Sequence, residues 1–123
     1  MSASTTLKDG VLGAILNATA YSEADLYLSL HTADPGSTGA NEATGGSYAR
    51  QAIPKVAPSS GTYTSDAAIT FASMPAGTFT HVGLWDAATA GNYIDGDALT
   101  ASKTVDAGDT IQFASGALTA TLS

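Results

Sequence analysis

The sequence predicts a mainly β protein, an antiparallel β-sandwich of jelly-roll type with one N-terminal amphipathic α-helix. Three observations predict it: short apolar runs that alternate with period two, Gly- and Pro-bearing turn signals between those runs, and a surface poor in charge. Hydrophobic residues make up 44% of the chain and charged ones only 12%, about half the usual share for soluble domains. Polarity comes instead from Ser, Thr, Asn and 13 glycines, the residues of short strands joined by tight turns. A length of 123 residues suits one core, read as a single domain over 1–123 with a helix at about 5–18 and a β body at about 25–122.

The helix comes first. Leu7, Val11, Leu12, Ile15 and Leu16 fall on one stripe of a 3.6-residue helix, and Ser4 or Thr5 can cap it. Gly10 and Gly13 each cost it about 1 kcal/mol relative to Ala, so the helix needs a surface to pack on. After Ala24 the period changes to two. Leu26, Leu28 and Leu30 face one way and Tyr27, Ser29 and His31 the other, the pattern of a half-buried strand.

Residues 32–46 form a long polar excursion with turn signals at Asp34-Pro35-Gly36, Thr38-Gly39 and Gly45-Gly46. Loops of this length inside a small domain more often carry function than merely connect. A strand is expected over 48–53, pushed to a sheet edge by Pro54 and Pro58. Further strands are expected over 61–64, 68–72, 78–87, 92–98, 110–114 and 117–122, divided by Gly- or Pro-bearing turns. The 78–87 run carries apolar residues on both phases, Phe79 and Trp85 on one and Val82 and Leu84 on the other, as a central strand buried on both sides would.

Charge limits the partners. Four Lys or Arg against eleven Asp or Glu give a net charge of -7, and Lys8, Arg50, Lys55 and Lys103 stand singly, so neither nucleic acid nor a membrane surface is an expected partner. The chain has no cysteine, which removes disulfides and thiolate chemistry. No apolar run approaches the roughly 20 residues of a membrane span, and the N-terminus lacks a signal-peptide pattern, so synthesis in the cytoplasm is expected.

Catalytic and metal chemistry finds little to stand on. His31 lies three residues before Asp34, but a metal needs further ligands that the neighbourhood does not offer, and the expected use of the ring is a hydrogen bond that stiffens the loop. His81 alternates with Phe79 and Gly83 within the central strand. Asp95-Gly96-Asp97 lacks the remaining oxygens of a calcium loop and reads as a turn. Asp106 and Asp109 fit a hairpin turn between Val105 and Ile111. Neither a phosphate-binding glycine loop nor a nucleophile elbow occurs. The expectation is a protein without catalytic residues, cofactor or metal.

The stretches Leu26-Tyr27-Leu28-Ser29-Leu30-His31-Thr32-Ala33-Asp34-Pro35-Gly36, Thr38-Gly39-Ala40-Asn41-Glu42 and Gly45-Gly46-Ser47-Tyr48-Ala49-Arg50-Gln51 carry a resemblance. It continues downstream in His81-Val82-Gly83-Leu84-Trp85-Asp86-Ala87, Leu99-Thr100, Lys103-Thr104-Val105 and Ala107-Gly108-Asp109-Thr110-Ile111. In these phrases the chain resembles a family of small virion proteins of tailed bacteriophages, variously labelled tail fibre, minor tail or head-decoration proteins.

The resemblance implies a structural particle component with no catalytic residues. The expected role is capsid decoration on the outer surface of the phage head, a cement bridging shell subunits. Its partners would be the major capsid protein and further copies of itself, as a homo-oligomer read as a trimer. The alternative is a tail fibre or minor tail protein acting as a tail-tip adhesin at the host surface. The head is favoured because the sequence shows neither a long shaft nor a baseplate anchor. Candidate contact residues are Leu7 and Val11 of the helix, Asp34 and Asn41 of the long loop, and Arg50 of the characteristic stretch. Tyr27, Tyr48 and Tyr63, each on a polar phase or near an edge, complete the set.

Overall fold

Leu28 and Leu30, on one phase of the run Tyr27–His31, are both fully buried, and that burial fixes the register of the strand they define. The computed structural model describes residues 2–3, 26–55 and 62–121. The helix expected over 5–18, with Leu7 and Val11, lies outside the described residues. Among the described residues the strands in chain order are β1 (Ser2–Ala3), β2 (Tyr27–His31), β3 (Gln51–Ala52), β4 (Thr62–Thr64) and β5 (Ile69–Phe71). They continue with β6 (Gly77–Trp85), β7 (Tyr93–Val105), β8 (Ile111–Phe113) and β9 (Thr119–Thr121).

The main sheet has five strands in the order β1-β7-β6-β2-β3, all antiparallel. β6 lies at its centre, as its two-phase apolar pattern requires. β2 pairs with β6 over its whole length, from Tyr27 opposite Trp85 to His31 opposite His81. β3, beside Pro54, forms one edge. Two short ladders, β4–β9 and β5–β8, supply a second layer. Ile69, Phe71 and Ile111 from β5 and β8 share a core with Leu28, Leu30, Val82 and Leu84 of the main sheet, and Ala43, Met74, Phe79, Ile94 and Leu118 complete it.

Among the described residues the fold is thus mainly β and antiparallel, as expected, and their five-plus-two-plus-two strand arrangement differs from the paired four-stranded sheets of a jelly roll. The strands expected over 61–64, 68–72, 78–87, 110–114 and 117–122 lie within two residues of those bounds. Two neighbours depart further. Over 48–53 only Gln51–Ala52 is strand, because the edge of β2 beyond Leu28 is satisfied by other groups, described below. β7 extends to Val105, where 92–98 was expected, because its C-terminal part pairs with the start of β6.

Asp95-Gly96-Asp97 is therefore the interior of a strand and not a turn. Gly96 is required by packing: a Cβ there would collide with the Tyr93 hydroxyl and lie 2.8 Å from Pro35 Cγ. Asp106 and Asp109 do make a turn, with the Asp109 N–H donating to the Asp106 carbonyl at 3.1 Å. It does not close a hairpin, because β8 pairs with β5 instead of β7.

The β6–β7 ribbon is interrupted twice, by a one-residue bulge at Ile94 between the Leu84 and Trp85 pairs and by a larger one near Phe79. Phe79 faces Lys103 and His81 faces Ala98, so residues 99–102 of β7 lie opposite Thr80 alone. Phe79 joins Val82 and Leu84 in the core, whereas period two places it on the Trp85 phase. The disrupted pairing sits at the residue next to it.

Candidate functional site

Directly opposed residues of an antiparallel pair share a face. One face of the main sheet therefore carries Leu28, Leu30, Val82 and Leu84, and the other carries Ser29, His31, Gly83 and Trp85. The second face would expose polar and aromatic groups to water, yet Ser29 and His31 are both 0% exposed. The long polar segment after β2 covers them.

That segment folds back on the strand it follows. The Thr32 N–H donates to the Asn41 carbonyl at 3.0 Å, and the Ala43 N–H donates to the Leu30 carbonyl at 2.8 Å. Tyr48 Oη accepts from the Leu30 N–H at 3.1 Å, so a phenol stands where a strand partner would be. Gly39 lies flat on Trp85: with φ at 78°, a Cβ there would come within 2.5 Å of the indole. No side chain fits between this loop and the ring.

Beneath the cover runs a continuous hydrogen-bond chain. Trp85 Nε1–H donates to Ser29 Oγ at 2.9 Å, and Ser29 Oγ lies 2.7 Å from His31 Nε2. His31 Nδ1 lies 2.7 Å from the Ala40 carbonyl. An indole nitrogen can only donate and a carbonyl can only accept, so a neutral imidazole protonated on Nδ1 satisfies every member. Burial pushes the His31 imidazole below the usual histidine range, outweighing the opposing pull of the Ala40 carbonyl. Gly83 makes room, since a Cβ there would lie 2.7 Å from both Ser29 Oγ and His31 Nε2.

A second cluster closes the other end. Arg50 holds Glu42 with both edges of its fork, Nε to Oε2 and Nη2 to Oε1, each at 2.8 Å. Its Nη1 donates to the carbonyls of Ala87 at 3.0 Å and Ala90 at 2.8 Å, and its guanidinium carbon lies 3.6 Å from the Trp85 ring centroid. The Tyr48 hydroxyl adds a bond to Glu42 Oε2 at 2.9 Å. Burial opposes ionisation of Glu42, but the bonds from Arg50 and Tyr48 hold its carboxyl below the ordinary glutamate range. Burial pushes the Tyr48 phenol well up.

Arg50 thus ties three loops to one indole: the cover, the approach to β3, and the β6–β7 turn. That turn is also braced from within, because Asp86 accepts the Asn92 N–H at 2.7 Å and its side-chain amide at 2.8 Å. Ala90, at φ 52°, takes a conformation costly for an L-residue and thereby points its carbonyl at Arg50.

The candidate contact residues fall into two groups. Asp34 and Asn41 are exposed on the outside of the cover, joined by a 3.1 Å bond from Asn41 Nδ2 to the Asp34 carbonyl. Tyr27 is half-buried at the start of β2. Tyr48 and Arg50 instead spend their polar groups inside the molecule. Tyr63 is half-buried against the core and donates to the Pro54 carbonyl at 2.7 Å. The expected loop-stiffening hydrogen bond of His31 is the one to the Ala40 carbonyl. Sequence reasoning missed Glu42 and Ser29; the one available signal was a lone Glu and a lone Arg eight residues apart in an otherwise uncharged stretch.

Chemically, this arrangement fastens one part of the chain to another. Ser29 and His31 resemble a nucleophile and its base only in distance, for both are sealed and the Ser29 oxygen is already bonded to Trp85. Among the described residues no group of three His, Cys, Asp or Glu side chains is placed to hold a metal ion. The characteristic sequence phrases thus encode a strand together with its own cover. A search of curated proteins gave no match. The family model described as "Podophage GP4 fiber I protein gp80" matches residues 2–121, nearly the whole chain, and the protein therefore belongs to this family of phage virion proteins.

Proposed function

We propose that this protein is a structural component of a podophage fibre, carried on the tail and working through protein contacts. The observation that carries this reading is the match to a fibre protein family over residues 2–121. It favours the fibre role over the capsid-decoration role expected from the sequence. The structure supports a scaffold reading in a second way: its most elaborate polar cluster, around Arg50 and Glu42, is used to fasten loops together.

Self-association belongs to the same reading, because a fibre is assembled from repeated copies around an axis. A homo-oligomer, with a trimer as the specific expectation, fits a surface of few charges. Native mass spectrometry of the purified chain tests the oligomer.

Location is tested on the particle. Antibody-gold labelling of intact virions, with the copy number taken against the major shell protein, should place the label at the tail in a small number of copies. Label over the whole head at a ratio near that of the shell protein would overturn the fibre reading and establish capsid decoration.

A further inference from the structure

His31 is fully enclosed, and its surroundings are built for the neutral ring. Nδ1–H donates to the Ala40 carbonyl, and Nε2 takes the one hydrogen of the Ser29 hydroxyl, whose oxygen already accepts from Trp85. A second proton on Nε2 would meet that hydroxyl hydrogen head-on. Ser29 would have to turn its hydrogen away from the ring, and its other hydrogen-bond partner here, Trp85 Nε1–H, is itself a donor.

The charged and titratable groups around the ring come from every side. Glu42, bridged to His31 across the cover, attracts a proton, but its carboxylate is already held by Arg50 and Tyr48. Arg50 and His81, the latter directly opposite on β6, disfavour a second positive charge. Tyr93 of β7 and Tyr48 contribute neutral phenols.

What His31 holds is specific. The Ala40 carbonyl belongs to the 32–41 cover, which also carries Gly39 against Trp85 and Pro35 close to Gly96. The opposite face of β2 is held separately by the apolar core. The two faces can therefore respond differently to one proton.

We propose that His31 is an acid-sensitive latch: a proton on Nε2 leaves the Nδ1–H bond to Ala40 in place but sets a second donor against the Ser29 hydroxyl and a charge in a sealed site, a cost relieved when the 32–41 cover lifts from the aromatic face of the sheet and admits water, while the apolar face keeps the β body folded. Opening uncovers Trp85, Tyr93 and Gly96 as a new surface. This goes beyond the fibre reading and does not depend on it.

Trp85 is the only tryptophan in the chain and reports directly on the cover. Its emission is followed from about pH 8 to about pH 5, with far-ultraviolet circular dichroism alongside and the His31 ring observed by NMR. The expected result is a red shift with a midpoint below about 6.5, the ordinary histidine value. It should track His31 protonation, with the strand signal unchanged. His31→Asn, which can still donate to the Ala40 carbonyl but cannot titrate, should hold the emission constant.

A flat emission down to the point where the strand signal collapses with it would overturn the latch, because acid would then simply unfold the protein. So would a red shift during which the His31 ring stays neutral, or one that persists unchanged in His31→Asn. If that variant fails to fold, the ring titration in the unaltered chain decides alone.

Discussion

Arg50 sits over Trp85, its guanidinium carbon 3.6 Å from the ring centroid, while Nε and Nη2 both grip Glu42, so one side chain is at once a cation–π partner and a bidentate clamp. Side-chain exposure is only 8% for Arg50 and 21% for Glu42, which places the pair among those whose loss is felt. Lysine at position 50 would keep the charge but lose the fork and the stack. Arg50→Lys should lower unfolding free energy by about 2 kcal/mol, and Arg50→Ala, which strands the Glu42 carboxylate, by about 3 kcal/mol or more. Urea unfolding measures both. A lysine variant as stable as the parent would show that the charge alone suffices.

The two glycines at either end of the cover turn separate backbone strain from packing. Gly36 and Gly39 both have positive φ, 61° and 78°, but a Cβ at Gly36 meets nothing within 4 Å whereas one at Gly39 meets the Trp85 ring. Gly36→Ala should cost about 1 kcal/mol, the left-handed penalty by itself. Gly39→Ala should cost clearly more and should change the Trp85 emission, because the loop has to lift. Equal losses in the two variants would mean that the loop does not rest on the indole.

Much of the fold was legible. Strand positions followed from period two and from turn residues, since each needs only neighbours in sequence to be seen. The polar phase of β2 was misjudged for a physical reason: Ser29 and His31 read as solvent-facing, yet they are fully buried because a segment that looks like an excursion returns to cover them. Nothing local to residues 32–46 says where they fold. They are held partly by β2 next to them in the chain, but what they rest on is the Trp85 ring, forty-six residues beyond Gly39, and the Arg50 that grips Glu42 reaches on to Ala87 and Ala90. Asp95-Gly96-Asp97 was misread for the same reason, its glycine answering to a side chain from a neighbouring residue and a loop across the sheet.

Two tyrosines should respond in opposite ways to loss of the hydroxyl. Tyr48 Oη accepts from the Leu30 N–H and donates to Glu42, whereas the buried Tyr93 Oη has no hydrogen-bond partner among the described residues. Tyr48→Phe leaves a backbone donor and part of a carboxylate unsatisfied and should cost about 2 kcal/mol. Tyr93→Phe removes an unsatisfied group without changing shape and should be neutral or stabilising by up to about 1 kcal/mol. Thermal denaturation of the two variants side by side checks this, and a destabilised Tyr93→Phe would reveal a partner for that hydroxyl.

Stability should fall away at both ends of the pH scale, for separable reasons. Glu42 has its folded carboxyl held below the ordinary value, against the opposing effect of burial, so as pH falls the unfolded chain takes up that proton first. Its contribution is complete above the unfolded pKa of about 4.3 and is lost as pH drops through the folded value. Tyr93 behaves in the reverse sense. Burial pushes its phenol up to about 12, so the folded state keeps a proton that the unfolded chain releases near about 10. That contribution is complete below about pH 10 and is lost as pH rises towards the folded value. Unfolding free energy measured across pH should therefore show an acid limb, shared with the lowered His31 imidazole, that Glu42→Gln makes shallower, and an alkaline limb, shared with the raised Tyr48 phenol, that Tyr93→Phe makes shallower. Each substitution should leave the opposite limb in place, because the two groups titrate in windows that do not overlap.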